Sequence, residues 1–229
     1  SDSRKKLYAS IEGYGFWGSN KEMGDRSIGS TITFQPIDAL RISLSANYSY
    51  YFRKQDQFVS NVNYNNAVRS IVGEVKQKTV RFTSRVSYNI TPDLTLQYYG
   101  QPFITRPLYG NYAYVSNPLA KKYNNRFTVY HPNQIKSDNG TFLVDENIDG
   151  VTDYRFAKPD FNFVQFRSNL VLRWEYKPGS EFYLVWSQSN TADAFNELDT
   201  PIVSSLLDNA FADQSRNIFL VKCTYRFLR

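Results

Sequence analysis

The sequence predicts an all-β protein: an antiparallel up-and-down transmembrane β-barrel, with about eight strands in this chain. Aromatic residues make up 17% of the chain, and Tyr and Phe favour the pleated, half-buried surface of a strand. Apolar and polar side chains alternate along segments long enough to cross a bilayer at a tilt. Short turns alternate with long connections, which is the pattern of bacterial outer-membrane barrels.

The size and charge of the chain narrow the class of protein. A length of 229 residues suits one sizeable domain, and we assign residues 1–229 to a single barrel portion. No apolar run reaches the roughly 18 residues of a membrane-spanning helix. The net charge is +6, but the basic residues form no cluster, so nucleic acid is not an expected partner.

Eight strands follow from the alternation and the turns. In the third, apolar Leu40, Ile42 and Leu44 alternate with polar residues. The last strand ends near Phe227. Its alternate residues on one side are apolar and end with aromatic side chains, which is typical of the closing strand of an outer-membrane barrel. The predicted strands cover about residues 5–17, 25–36, 40–62, 67–90, 94–105, 161–176, 181–189 and 216–227.

The direction of the strands follows from the tight turns near residues 36–39, 91–93 and 177–180. Such turns face the periplasm in outer-membrane barrels. One strand starts from a tight turn at Leu40, and another strand ends at the next tight turn, at Ile90. Because both turns face the same side, the segment between them is expected to form a single hairpin. Residues 67–90 are therefore predicted to form one long strand paired with residues 40–62.

Two long extracellular loops are predicted, at about residues 106–160 and 190–216. The spacing of apolar residues such as Ile202 and Leu206 over residues 201–212 is typical of a short amphipathic helix. This helix would plug the mouth of the barrel or dock a partner.

Arginines recur at the inward-facing positions of the predicted strands. Such a ladder favours anions or polyanionic glycans in a lumen; a structural ion-pair network with lumen carboxylates is the other interpretation. A narrow eight-stranded lumen would leave many charges unpaired. We therefore expect the C-terminal part of a larger barrel. The predicted lumen residues are Arg41, Arg81, Arg85, Arg167 and Arg173.

The sharpest motif in the first long loop is D-x-N-x-D-G-x-x-D over residues 145–153. Oxygen ligands at this spacing suit Ca²⁺, but Phe156 stands where an EF-hand has its bidentate Glu. The loop is therefore incomplete unless Glu146 or Asp160 folds in, and a solvated acidic turn is the alternative. The candidate calcium ligands are Asp145, Asn147, Asp149, the Val151 carbonyl and Asp153.

No catalytic site is predicted. His131 is the single histidine of the chain, without a Cys or His partner for zinc. No nucleophile, base and orienting acid can be assembled around it. We therefore expect a non-enzymatic protein with no catalytic residue.

Three segments carry a resemblance to a known family: Tyr88–Pro102, Asp160–Trp186 with its LRWEY-PGS-LVW hairpin, and the terminal strand. They resemble the C-terminal barrel of a Gram-negative outer-membrane family of unassigned function. Members of that family join an N-terminal periplasmic domain, similar to family-9 carbohydrate-binding modules, to a large barrel. The resemblance implies that such a domain and earlier strands precede this region. It brings no catalytic or binding residue.

The expected location is the bacterial outer membrane, with outer-membrane lipid and lipopolysaccharide as surroundings. The expected role is passage or binding of solutes or glycans. A structural barrel subunit of a multi-protein complex for assembly, secretion or uptake is the first alternative, with other outer-membrane proteins as partners. A soluble carbohydrate-binding β-sandwich is the second. The sandwich predicts a protein core around Leu44, Leu170, Leu172 and Trp174.

Overall fold

The computed structural model describes residues 6–18, 21–194, 197–211 and 215–227. It confirms the all-β class, with one short α-helix, α1 (Ile202–Ala210), and a 3₁₀ turn at Tyr123–Arg126. No helix within these ranges is long and apolar enough to cross a membrane. The strands are β1 (Leu7–Trp17), β2 (Met23–Ile37), β3 (Leu40–Tyr64), β4 (Ala67–Thr91), β5 (Leu94–Val115), β6 (Phe127–Val129), β7 (Ile135–Asp138), β8 (Thr141–Val144), β9 (Tyr154–Ala157), β10 (Phe163–Lys177), β11 (Ser180–Asp193) and β12 (Arg216–Cys223).

Eight of these strands form one antiparallel sheet in the order β1-β2-β3-β4-β5-β10-β11-β12, and the short β6 pairs with β5. Each neighbour in the sheet is the next long strand along the chain, as expected of an up-and-down meander. Over the described ranges, β1 pairs with β2 and β12 with β11, so the sheet has two edges and its closure into a ring is not shown.

The predicted long hairpin is present. β3 and β4 are 25 residues each, and they pair from Leu40 opposite Tyr88 to Tyr64 opposite Ala67. Asn65 and Asn66 join them with positive φ angles of 51° and 58°, which the twist of a two-residue hairpin requires.

Apart from the two-residue hairpin turn at Asn65 and Asn66, the connections sort by length to the two ends of the sheet. Tight turns at residues 38–39, 92–93 and 178–179 lie at one end, which we call the turn end, and the long connections lie at the other, the loop end. The expected loop at 106–160 starts later than predicted. β5 continues to Val115 because the long β4 still offers a pairing partner as far as Ile71.

The sheet has two chemically different faces, because neighbouring side chains along a strand point to opposite sides. The arginine face carries the five predicted arginines; Ser43, Arg85 and Tyr99 are opposite one another across it. The other side, the apolar face, carries Leu44, which is 55% exposed, and Trp174, which is 49% exposed. Exposed apolar residues recur on this face from β1 to β12: Ile11, Ile28, Ile32, Leu44, Tyr48, Trp174, Leu184, Phe219 and Val221.

A three-stranded sheet, β7-β8-β9, covers the arginine face at the loop end. Its side chains pack on Ile71 of β4, and the ring of Tyr112 lies over Gly73 of that strand. This small sheet therefore blocks part of the arginine face at the loop end. The buried residues of this cluster are Ile71, Tyr112, Tyr130, Val144, Tyr154 and Phe156.

A chain of hydrogen bonds fastens the small sheet to β4. Arg69 of β4 pairs with Glu146 at 2.5 Å. The Tyr154 hydroxyl donates to the other Glu146 oxygen at 2.6 Å, and the hydroxyls of Tyr130 and Tyr154 are 2.8 Å apart. Burial raises the pKa of both tyrosines above the ordinary value, so both stay neutral hydrogen-bonding groups at physiological pH.

The helix α1 is present within the predicted segment, but it packs on the apolar face. Leu206 and Ala210 are buried against Val80, Ile104 and Val164. Its apolar stripe finds a matching surface there, whereas the small sheet already occupies the arginine face at the loop end. The predicted position as a plug of the mouth is therefore not the one observed.

Arg106 of β5 holds the segment that leads into α1. Its side chain lies on the apolar face, yet it is only 5% exposed. Its Nη1 donates to the carbonyls of Leu198 at 3.0 Å and Thr200 at 2.6 Å, and its Nε donates to Asn162 at 3.3 Å. A buried guanidinium needs such acceptors, because an unpaired buried charge is costly.

Polar contacts also hold α1 itself. Buried Asn162 donates to the Ser205 hydroxyl at 2.8 Å, and Ser205 donates to Glu197 at 2.5 Å. Asn209 donates to both oxygens of Glu197. Hydrogen bonds from Asn209 and Ser205 lower the pKa of Glu197, so this carboxylate stays charged at neutral pH.

The packing of the small sheet can be tested with two valines in the same region. Val144 is fully buried, whereas Val151 is 65% exposed. We expect Val144→Asp to release β7–β9, because an unpaired carboxylate in an apolar cluster costs several kcal/mol. Limited proteolysis should then cut within residues 116–160 at least about tenfold faster, and Val151→Asp should leave the digestion unchanged. Equal digestion of the two variants would contradict the packing described here.

Candidate functional site

A groove of about 490 Å³ lies on the arginine face near the turn end. Six strands, β1 to β5 and β10, contribute to its walls, so the sheet curls toward its arginine face. The side chains that point into it from this face are Tyr8, Thr33, Arg41, Ser43, Arg85, Ser87, Gln97, Tyr99, Asn169 and Val171.

The strand register places two of the predicted arginines in this groove. Arg85 lies in one transverse row with Tyr99 and Asn169. Arg41 lies in the adjacent row, opposite Ser87. The Arg85 guanidinium stands 5.2 Å from the centroid of the Tyr99 ring, a contact that orients the cation without neutralising it.

The other predicted lumen arginines divide into two kinds. Arg81 lies on the same face, 5.6 Å from the ring of Phe103, and Arg167 is opposite Gln101. Arg173 is different, because it pairs with Glu181 at 2.5 Å and with Glu175 at 3.5 Å. Arg173 thus matches the ion-pair interpretation.

Four arginines of the ladder keep an uncompensated charge: within the described ranges, Arg41, Arg81, Arg85 and Arg167 have no carboxylate within ion-pair distance. Exposed cations on a concave wall create a positive potential that raises the local concentration of anions. Hydroxyl and amide groups between them, such as those of Ser43, Tyr99 and Asn169, can hydrogen-bond a polar solute. Chemically, the arrangement can attract and bind an anion.

The acidic loop folds on its own backbone. Asp145 accepts the N–H groups of Asp149 at 3.1 Å and Gly150 at 2.8 Å. Asn147 also accepts from Asp149, and Asp149 accepts from Val151. Positive φ angles at Ile148 (63°) and Gly150 (88°) allow this tight coil. The first three predicted side-chain ligands therefore lie together around one short stretch of backbone.

The fourth side chain and the two residues that could complete the loop have other partners. Asp153 accepts the Glu146 N–H at 2.7 Å, while the Glu146 side chain pairs with Arg69. Asp160 accepts the Tyr109 N–H at 2.6 Å. The described part of the chain contains no group of three or more His, Cys, Asp or Glu residues placed to hold a metal ion. Calcium binding stays a prediction.

A set of cations on the apolar face was not predicted from the sequence. Arg26, Lys78 and Arg106 occupy positions where the strand alternation calls for an apolar residue. The strand alternation already indicates such positions. In β5, Arg106 comes two residues after Ile104 and therefore points to the same, apolar face. Only the register shows that the three lie in one row.

The fold and the groove together define a curled antiparallel meander with one apolar face and one cationic face. The chain belongs to the family described as "Domain of unknown function (DUF5916)", whose model matches residues 1–228. No curated protein and no solved structure matches the chain. The two faces of the sheet therefore carry the evidence for its function.

Calcium binding by the acidic loop can be measured with Tb³⁺ luminescence and Ca²⁺ competition. We expect Asp149→Asn to weaken binding at least about tenfold, because it removes one of the few charged oxygen ligands of a hard cation. Asp138→Asn, at an exposed site in the same region, is the matched control. Luminescence that is absent, or equal in both variants, would identify the loop as a solvated acidic turn.

Proposed function

We propose that this chain is part of a bacterial outer-membrane β-barrel that binds anionic solutes or glycans, or lets them pass, along a lumen lined by its arginine face. The proposal assigns no enzymatic role. One observation carries it: exposed apolar side chains recur on one face of the sheet from β1 to β12, and the opposite face presents unpaired arginines. Lipid against the first face and water against the second would satisfy both.

The height of the apolar face supports a membrane location. On β3, ten residues lead from Leu40 to Tyr50. At roughly 3.3 Å per residue and a tilt of about 40°, they rise about 25 Å along a barrel axis. The apolar band of outer-membrane barrels is also about 25 Å tall.

The orientation follows from the connections. Short turns lie on the periplasmic side of outer-membrane barrels and long loops on the outside, which puts the turn end in the periplasm. Strands β3 and β4 then continue past Tyr50 to the hairpin at residues 65–66, well outside the bilayer. The small sheet β7–β9 would narrow the external mouth of the lumen.

A larger barrel than eight strands is part of the proposal. Within the described ranges, β1 and β12 each have one neighbour, and four arginines lack an acidic partner. Further strands would cover both edges and could bring the missing carboxylates. The resemblance to a family with an N-terminal carbohydrate-binding-like domain supports glycans as a ligand class, with lipopolysaccharide and membrane lipid as surroundings.

A structural barrel subunit of a larger outer-membrane assembly is the second candidate function. The protruding ends of β3–β5 favour it, because they carry a packed small sheet that offers a rigid external surface to other outer-membrane proteins. The soluble carbohydrate-binding sandwich is less well supported. It requires a second sheet over Leu44 and Trp174, and both side chains are about half exposed.

A partition experiment tests the membrane location. The full-length protein should fractionate with outer membranes and stay monodisperse only in detergent, because water would otherwise contact an apolar face that extends from β1 to β12. The measurement is sedimentation after extraction with and without detergent. A monodisperse, detergent-free protein would overturn the barrel and support the sandwich.

Planar-bilayer recording tests the anion pathway. The full-length protein should conduct with a preference for anions, measured as the reversal potential in a salt gradient. The Arg41→Gln/Arg85→Gln variant should lose most of that preference, because it removes two of the four unpaired arginines of the ladder. The control is Lys136→Gln/Arg155→Gln, an equal change of charge at exposed positions of β7 and β9.

The same recordings separate the two candidate functions. Conductance whose selectivity does not respond to Arg41 and Arg85 would contradict the assigned pathway. No conductance from an intact inserted barrel would remove the open-pore version. Co-purification of other outer-membrane proteins in mild detergent would then support the subunit version.

A further inference from the structure

A row of cations crosses the apolar face at one height. Arg26 on β2 is opposite Tyr50 on β3, and Tyr50 is opposite Lys78 on β4. Lys78 is in turn opposite Arg106 on β5. Directly opposed residues of antiparallel strands point to the same side. Four adjacent strands therefore present three cations and one tyrosine in a single line, which we call the cationic row.

The cationic row interrupts the apolar face toward the loop end, where aromatic Trp17 and Phe52 follow in the next row. The next row toward the turn end contains Ile28, Tyr48, Val80 and Ile104, none of them charged. In the proposed barrel, the ten residue steps from Leu40 to Tyr50 place the row about 25 Å from the periplasmic turns. This is the height at which the hydrocarbon of the outer leaflet meets its headgroups.

The three cations differ in their exposure to solvent and in their hydrogen-bond partners. Arg106 is buried and hydrogen-bonded beneath the segment that leads into α1. Arg26 and Lys78 are exposed, and neither has a carboxylate partner within the described ranges. Lys76, one step further along β4, is already paired with Glu74 at 2.9 Å. The two unpaired charges stand two strands apart, roughly 10 Å.

Tyr50 fills the space between these two charges. The Arg26 guanidinium lies 5.7 Å from the centroid of its ring, so the arginine is oriented but not neutralised. The row therefore offers two cations and the phenol of Tyr50 to one anionic group.

An apolar groove of about 350 Å³ begins directly below the row. Ile28 and Tyr48 line it from the sheet, and Val203 lines it from α1. Further lining side chains are Ile11, Ala46, Val80 and Phe82. α1 packs on β5, β10 and β11, and the groove lies between this helix and the exposed apolar side chains of β1 to β4.

We propose that the cationic row and this groove bind one molecule of lipopolysaccharide through its phosphorylated, acylated anchor. A phosphate contacts Arg26 and Lys78, and an acyl chain lies in the groove against Val203. The inference rests on the proposed function for the orientation of the loop end toward the outer leaflet.

Charge and shape select this occupant. Unpaired cations at a membrane surface attract anionic headgroups, whereas a lipid with a neutral headgroup gains nothing from them. An acidic protein could use the cations, but it would leave the groove below them unfilled. Inorganic phosphate would likewise use only half of the site.

Arg106 gives the cationic row a second role. By holding the carbonyls of Leu198 and Thr200, it fixes the segment from which α1 starts and so positions Val203 as a wall. One transverse row thus supplies both the headgroup contacts and the anchor of the helix that shapes the acyl groove.

The test uses the delipidated full-length protein in detergent, with diphosphoryl lipid A as the probe and native mass spectrometry as the readout. The wild-type protein should retain one lipid A per chain. Arg26→Gln/Lys78→Gln should weaken binding roughly 30-fold, from about a factor of five or six for each basic residue at a membrane surface. Lys136→Gln/Arg155→Gln is the control, because both residues are exposed and flank Leu143 two strands apart.

A second pair of variants tests the groove independently of charge. Val203→Asn should weaken lipid A binding several-fold, because it places an amide against the acyl chain. Leu207→Asn is the control, at an exposed apolar position of the same helix that does not line this groove. Inorganic phosphate and phosphatidylglycerol serve as competitors, and neither should displace lipid A at equal concentration.

Several results would overturn the site: no retained lipid A, equal affinity in the Arg26/Lys78 variant and its control, or displacement by phosphate alone. Such a failure in a protein that still requires detergent and conducts ions would reject the lipid site and leave the proposed function in place. A protein that is monodisperse without detergent would reject the proposed function as well.

Discussion

The register of the meander is the constraint on which the rest of the structure depends. Successive side chains of a strand point to opposite faces, so a slip of one residue would move every arginine to the apolar face. The pairing of β3 with β4 holds this register without interruption from Leu40 to Arg53, and irregularities follow between Arg53 and Ser60. It places Lys78 beside Tyr50, and the pairing of β4 with β5 places Arg85 beside Tyr99. Both the groove and the cationic row are direct consequences of that alignment.

The two long connections pack on opposite faces of the main sheet at its loop end. The small sheet β7–β9 packs on the arginine face and α1 packs on the apolar face. An arginine of the main sheet holds each one: Arg69 pairs with Glu146, and Arg106 binds the carbonyls before α1. These anchors shape the proposed sites, since one insertion covers the arginine face at the loop end and the other forms the wall of a groove.

Much of this arrangement could be predicted from the residues. The alternation gave the eight long strands, and the placement of tight turns gave the single strand at residues 67–90, which β4 confirms. The length of β5 and the position of α1 were not predictable. They depend on the pairing partner and on the packing surface that the neighbouring strands provide. Arg173 shows the same limit: its partners Glu175 and Glu181 become neighbours only across the β10–β11 hairpin.

The sequence by itself determined the all-β class, the strand order and the chemical difference between the two faces, since period-two alternation and turn residues are local properties. The tertiary structure decided which charges are compensated and which surfaces are covered. Those outcomes depend on contacts between residues far apart in the chain, such as Arg106 with Thr200. No local pattern separates Arg106, which is buried as an anchor, from Arg26, which stays exposed in the same row.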